Sequence, residues 1–233
     1  MKLTKEIFCF IPAKASSKRL KLKNIKPLQG KPMIQYAIEA AFQSKIFEDQ
    51  IYVSTEKGEI AQIVENLGAK VPQLRPEKLA NDPYGVKDVL LGFLSANPEL
   101  KQFKSAAIIL PTAPLIASQD ICKAYALFNE KPNQNLISVT PTEHNALRSV
   151  YVRDNELVPL FEDCIRKKSQ ELEPTHRING AIIIVPIKEF LKNEDFFTPP
   201  VTTYTMPLER SVDVDTESDF QWAEFLMQKK THL

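Results

Sequence analysis

The sequence is short of cysteine, of long apolar runs and of net charge, and each shortage removes a class of function. Cys9, Cys122 and Cys164 are its only cysteines in 233 residues. They are odd in number, far apart and show no CxxC or Cys/His spacing, so neither a disulfide framework nor a zinc site is expected. Apolar runs such as Ala181–Pro186 fall far below the ~20 residues of a membrane-spanning helix. Near the amino terminus Ile7–Ile11 is too short for a signal-peptide core, which takes ~7–15 residues. Lys and Arg number 30 against 29 Asp and Glu, a net charge of +1, so the chain has no overall basic footprint for nucleic acid or an anionic membrane. No internal repeat or low-complexity linker is present. These features point to a reduced, cytoplasmic protein with no nucleic-acid or membrane partner.

What is present is ordinary globular composition, 43% hydrophobic, in a strand–helix alternation. Ile7–Ile11 is a buried-strand run stopped by Pro12. Pro32 opens an amphipathic helix reaching Ser44, with Ile34, Ala37, Ile38 and Ala41 on one face. Gln50–Ser54 is a strand, Gly58–Leu67 a helix closed by Gly68, and Ala69–Leu74 a further short strand. Gly85–Ala96 is helical, and Ala106–Leu110 is a buried strand. Ser118 caps a helix to Asn129, and Leu136–Thr140 is again a strand. Residues 141–174 read as an antiparallel insertion. Ala181–Val185 and Val201–Met206 are strands, and Thr216 caps a last helix to Gln228 with Trp222 read as packing. Alternation of this kind gives βαβ crossovers: an α/β, doubly wound, mainly parallel sheet formed by one domain. Ligands then bind beyond the carboxyl ends of the strands.

Three segments at those ends carry chemistry. From Lys14 to Lys31 there are six lysines, one arginine and no acid, directly after the first strand. Several cations with hydroxyl and amide donors at a strand end suit a polyphosphate; the bland reading is a solvated or nucleic-acid-binding basic run. No glycine precedes Gly30 and no G-x-x-x-x-G-K-[ST] occurs, so this is not a P-loop. Second, Asp213 and Asp215 are two apart and share a face in extended chain. Two convergent carboxylates beside a phosphate site suit Mg²⁺, while Glu217 and Asp219 read as helix-start acids. Third, Arg177 and Asn179 also share a face and lead into a buried strand. Such a pair can hold the carboxylate and hydroxyls of a sugar acid. His144 and His176 are isolated, and no hydrolase triad is supported.

Taken together, these segments resemble the acylneuraminate cytidylyltransferases, which activate nine-carbon sugar acids. The motifs occur in family order over about residues 7–228. They are Pro12-Ala13-Lys14-Ala15-Ser16-Ser17-Lys18-Arg19, Lys23-Asn24-Ile25-Lys26-Pro27-Leu28, Gly30-Lys31-Pro32-Met33-Ile34 and Val53-Ser54-Thr55. Arg75-Pro76 with Leu79-Ala80 and Asp82, then Pro111-Thr112-Ala113-Pro114-Leu115, follow. Arg177-Ile178-Asn179-Gly180-Ala181-Ile182 and Ser211-Val212-Asp213-Val214-Asp215-Thr216 complete the set.

The resemblance implies a Rossmann-like nucleotidyltransferase fold and attack of the sugar acid's anomeric hydroxyl on the α-phosphorus of CTP. It implies nucleotide binding by Ala13, Lys14, Ser17, Lys18, Arg19, Lys23, Asn24 and Arg75, with Arg75 on the cytosine. Lys14, Lys23 and Asp215 are implied as catalytic, Asp213 and Asp215 as Mg²⁺ ligands, and Gln170, Arg177 and Asn179 as sugar-facing. A homodimer is implied, joined through the insertion at 141–174. The chain departs from the family at Lys14, where an arginine is usual, and at Ala15-Ser16, in place of Gly-Gly. It departs also at Leu110, in place of Gln, at Lys168–Glu171 and at His176. Most of these fall on the sugar side and point to a bacterial relative of N-acetylneuraminate, such as legionaminic acid. A Kdo-type or other sugar nucleotidyltransferase, or a non-catalytic nucleotide-binding paralogue, remain the alternative readings.

Overall fold

A computed structural model describes residues 5–231. Its centre is a six-stranded sheet built from β1 (Ile7–Pro12), β4 (Ile51–Ser54), β5 (Ser105–Ile109), β6 (Asn135–Pro141), β9 (His176–Pro186) and β10 (Val201–Thr205). The spatial order is β10-β6-β9-β5-β1-β4. β1 runs parallel to β4 and β5, and β10 parallel to β6, while β9 is antiparallel to both its neighbours. The doubly wound, mainly parallel expectation therefore stands, with one strand reversed.

Alternation along β1 explains the two layers. Ile7, Cys9 and Ile11 face one side, where they meet α1 (Met33–Ser44), α2 (Gly58–Asn66) and α4 (Ser118–Glu130) through Ile34, Ala37, Ile60, Val64, Ile121 and Ala124. Phe8 and Phe10 face the other side, against α3 (Val86–Ala96) and α5 (Ile187–Asn193) through Val89, Leu90, Phe93, Ile187 and Phe190. Side chains of successive residues leave a strand on opposite faces, so a continuous apolar run is what a sheet covered on both sides requires. A third cluster seats α6 (Glu217–Thr231), through Phe220 and Ala223, on Leu20, Leu28 and Met33. Leu28 lies in a two-residue strand pair, β2 (Pro27–Leu28) and β3 (Lys31–Pro32).

Beyond Pro141, the segment up to residue 174 leaves the sheet and carries an antiparallel hairpin, β7 (Val150–Arg153) with β8 (Glu156–Pro159). Its two-residue turn, Asp154-Asn155, has positive φ at both positions, the backbone a tight hairpin needs.

Four local expectations change. Ala69–Leu74 is not a strand: Lys70 makes a single bridge to Tyr52, and Pro72 then has no N–H to extend the ladder. Ala117, not Ser118, is the N-cap of α4, and the Asp120 carboxylate accepts its backbone N–H at 3.0 Å. β9 starts at His176 rather than Ala181, because Thr140 and Pro141 at the end of β6 still pair with Arg177 and His176. Trp222 is not interior packing but is 53% exposed, stacked on Phe225. The Thr216 cap holds: its hydroxyl accepts the Asp219 N–H while the Asp219 carboxylate accepts the Thr216 N–H at 2.8 Å.

Candidate active site

β1 lies between β4 and β5, so the chain leaves it in one direction and later returns on the other side. This is the topological switch point of an α/β sheet, and the loop after β1 borders the crevice. Residues 13–24 form that loop. Ala13 is buried, and its N–H donates to the Ser54 carbonyl at 2.9 Å, so the loop starts clamped to β4. Asn24 closes the other end: its Nδ2 donates to the Lys14 carbonyl at 2.8 Å. Ser16 Oγ donates to the Ala80 carbonyl at 2.8 Å. The backbone freedom that glycine would supply is thus replaced by specific side-chain anchors.

Two cavities meet at this loop and share Lys14 and Lys23. One, of about 200 Å³, is lined by Pro12, Asn24, Arg75, Tyr84, Leu110 and Thr112 among others. The second, of about 210 Å³, is walled by Ser17, Lys18, Arg19 and Asp215. The basic half therefore contains Lys14, Lys18, Arg19 and Lys23, as the sequence pattern anticipates. Lys26 and Lys31 are turned elsewhere, onto Glu217 and Glu39. Among the described residues, the Ser17 hydroxyl and the Asn24 Oδ1 are buried without a hydrogen-bond partner. Buried polar atoms are normally satisfied, so an orphan on each cavity, Ser17 on the basic one and Asn24 on its neighbour, is a position that a ligand can complete.

Arg75 enters from the far side. Its side chain is 7% exposed and its Nη2 donates to Glu56 Oε2 at 2.8 Å, while Glu56 Oε1 accepts the Ala15 N–H at 2.6 Å. Burial lowers the affinity of the Arg75 guanidinium for its proton, and Glu56 opposes that shift. Glu56 is a residue the sequence reading missed. Its signal was available, since it follows Val53-Ser54-Thr55 at the carboxyl end of β4.

Lys23 is buried, and its Nζ donates to the Val214 carbonyl at 2.9 Å and to Asp215 Oδ1 at 2.6 Å. Arg19 holds the other Asp215 oxygen. Burial alone would raise the Asp215 carboxyl, but the hydrogen bonds and charges of Lys23 and Arg19 hold it below the usual range. Asp213 is open to solvent, takes a hydrogen bond from Thr112 and makes no salt bridge among the described residues. Burial by the protein packed around it, and the charge of Asp215 nearby, raise its carboxyl above the usual range. Gly180, at φ +67°, comes close to Asp213: a β-carbon there would stand 3.8 Å from Asp213 Oδ2.

The donor set fits Mg²⁺. Asp215 lines the basic cavity and Asp213 lines a neighbouring one with Arg177 and Ser211; such a pair matches a cation that keeps several waters and takes one or two protein carboxylates plus phosphate oxygens. Asp213 is free to bind, whereas Asp215 must exchange its contacts with Arg19 and Lys23.

Of the sugar-side residues, Arg177 and Asn179 converge on one point. Arg177 Nη2 donates to the Ser211 carbonyl at 3.1 Å, and Asn179 Nδ2 to Ser211 Oγ at 2.9 Å. Asn179 is 2% exposed, and its Oδ1 accepts from Ser138 Oγ at 2.6 Å and from the Ala181 N–H at 3.2 Å. Its amide is thereby saturated by protein and locks β6, β9 and the 211–215 segment together. Gln170 lies apart from both cavities, exposed on a short 3₁₀ turn of the insertion.

Comparison with known proteins identifies the family. Residues 8–176 match the sequence profile of the family described as cytidylyltransferase. The chain is 30% identical to a pseudaminic acid cytidylyltransferase of Campylobacter jejuni, covering 94% of each chain. It is 33% identical to a CMP-N,N'-diacetyllegionaminic acid synthase of Legionella pneumophila, covering 95% of this chain and 96% of that one. Among solved structures, a CMP:2-keto-3-deoxy-manno-octonic acid synthetase complexed with CTP superposes with a TM-score of 0.73 at 16% identity, over 97% of this chain and all of the other. That likeness concerns the fold alone. By its profile match and these relatives, the chain belongs to the cytidylyltransferase family.

Proposed function

We propose that this enzyme transfers the cytidylyl group of CTP to the anomeric hydroxyl of a nine-carbon 2-keto sugar acid, releasing pyrophosphate. The observation that carries the reading is the pair of contiguous cavities joined at Lys14 and Lys23, one cationic and one bordered by Arg75. Nucleotidyl transfer needs alignment and charge neutralisation more than covalent help. Lys14, Lys18, Arg19 and Lys23 would neutralise the triphosphate, with the Ser17 hydroxyl adding a hydrogen bond, while the Asn24 Oδ1, an acceptor, would face a hydroxyl or amino group of the nucleoside. Arg75 would address cytosine. Ala13 holds the loop to β4 through its backbone. Asp213 and Asp215 would hold Mg²⁺, which when bound supplies charge neutralisation and lowers the pKa of a coordinated hydroxyl.

Arg177 reaches the Ser211 carbonyl and stays available to an acid's carboxylate, while Asn179 positions it. Leu110 lines the cleft and gives the acceptor an apolar wall where a glutamine would offer hydrogen bonds. This favours the acids named for the two relatives, pseudaminic and N,N'-diacetyllegionaminic acid, over N-acetylneuraminate. The hairpin carries Tyr151, Val152 and Leu157 exposed by 53, 73 and 61%, and so many apolar side chains on one small ribbon support a homodimer joined there. Gln170 could then serve a partner's site. Three free cysteines fit a cytoplasmic setting, and among the described residues no helix is long and apolar enough to cross a membrane.

The test is pyrophosphate release from CTP and Mg²⁺ with N-acetylneuraminate, legionaminate, pseudaminate and Kdo. Release with legionaminate or pseudaminate is expected. N-acetylneuraminate as the best substrate would refute the bacterial assignment, and release with Kdo alone would favour the eight-carbon alternative.

A further inference from the structure

We infer that Glu56 is a positioning residue that sets the base-reading and phosphate-binding halves of the nucleotide cleft from one carboxylate. Its side chain is 2% exposed, and each oxygen has a different task. Oε2 carries the Arg75 guanidinium at 2.8 Å, and Oε1 carries the Ala15 N–H at 2.6 Å. The Arg75 backbone is fixed as well, its N–H donating to the Thr55 carbonyl at 2.9 Å. Among the described residues Arg75 Nε is buried without a partner, so Glu56 holds one edge of the guanidinium and leaves the rest of its donors uncommitted. Ala15 sits one residue from Lys14 and two from Ser17, both on the basic cavity. Moving Oε1 therefore moves the phosphate loop, and moving Oε2 moves the base reader.

The inference rests on reading the cleft as a CTP site. Cytosine presents two adjacent acceptors, O2 and N3, to a guanidinium fork, whereas uracil has a donor N–H at N3. A fork held at a fixed angle accepts the first pattern and rejects the second. Discrimination of CTP from UTP should then depend on Glu56, although Glu56 touches neither nucleotide.

The experiment measures binding of CTP, UTP and inorganic tripolyphosphate to the native chain and to Glu56→Gln, with thermal midpoints alongside. Gln keeps an acceptor for Ala15 but loses the charge that orients Arg75. For a folded E56Q we expect CTP affinity to fall at least tenfold and the CTP-over-UTP preference to collapse toward unity, with tripolyphosphate binding within twofold of native. Glu56→Asp keeps the charge but cannot reach both partners, and should weaken CTP and tripolyphosphate together. It also serves as the test should E56Q not fold. Native CTP affinity and base preference in folded E56Q, or in E56D if only that variant folds, would overturn the inference while leaving the cytidylyltransferase reading intact. A native chain that binds tripolyphosphate but shows no preference for CTP would overturn both.

Discussion

Lys23 Nζ lies 2.6 Å from Asp215 Oδ1, joining residues 192 positions apart in the sequence, and the same ammonium donates to the Val214 carbonyl. One buried cation thus ties the basic loop after β1 to the carboxylate segment. Lys23→Met removes both tethers and a charge from the junction of the two cavities. Loss of one preorganised donor at such a point costs about 10²–10³ in turnover. Pyrophosphate release by K23M should fall by that factor, and turnover within threefold of native would contradict the role.

Metal dependence follows from the acidic pair. Chelation of Mg²⁺ should abolish pyrophosphate release, and Asp213→Asn should lower it by about 100-fold or more, since charge neutralisation by a bound cation is worth several kcal/mol. Titration of Mg²⁺ against the rate of native and D213N enzyme is the check. A native rate insensitive to EDTA would remove the metal from the scheme.

The carboxylate segment is anchored from behind by Asp120. Its side chain is fully buried and receives two hydrogen bonds from Arg210, at 2.7 and 2.8 Å, and one from the Tyr204 hydroxyl at 2.9 Å. Asp120→Asn leaves Arg210 without its counter-charge and should destabilise the fold by about 3–5 kcal/mol in urea denaturation. Burial opposes ionisation of Asp120, but Arg210, the Ala117 N–H and Tyr204 hold its carboxyl below the usual range. A lowered folded-state pKa contributes stability above the unfolded value, ~3.9, that is lost as pH falls through the folded one. The gap between native protein and D120N should be flat above about pH 5 and shrink below about pH 4. A gap that widened on acidification would have the wrong sign for this pair.

Gly180 has φ +67°, with Leu110 Cδ1 at 3.5 Å and Asp213 Oδ2 at 3.8 Å from an added β-carbon. Those are ordinary contacts, so the cost of Gly180→Ala is conformational, about 1–2 kcal/mol for a left-handed non-glycine residue. Equilibrium unfolding measures it, and a neutral substitution would show that the backbone here relaxes.

Dimerisation through the hairpin is tested by the double variant Val152→Asp, Leu157→Asp. Two charges on the most exposed apolar part of β7 and β8 should leave the sheet core untouched and shift sedimentation from dimer to monomer. A native chain already monomeric at micromolar concentration would dispose of the idea.

How much of this was legible in advance differs by level. The sheet and its wrapping were readable because a run such as Ile7–Ile11, with apolar residues on both alternating faces, can be satisfied only between two layers. The basic loop at the cleft was readable because six lysines without an acid, placed at a strand end, carry both composition and position. The start of α4 was misread because Ser118 competes with Asp120 for the cap, and only the tertiary contacts of Asp120 with Arg210 and Tyr204 decide between them. Trp222 was misread as interior because a lone aromatic on an amphipathic helix does not show how far the apolar face extends.

By itself the sequence determined the layers, the ligand edge and the residue types gathered there, since periodicity and local charge are properties of neighbours along the chain. Only the tertiary structure decided which groups meet: Glu56 between Ala15 and Arg75, Lys23 on Asp215, Asn179 spent on Ser138 and Ser211. The physical reason is separation. These pairs join segments tens to nearly two hundred residues apart, and their distances are set by how the sheet orders its strands, not by any spacing a linear pattern records.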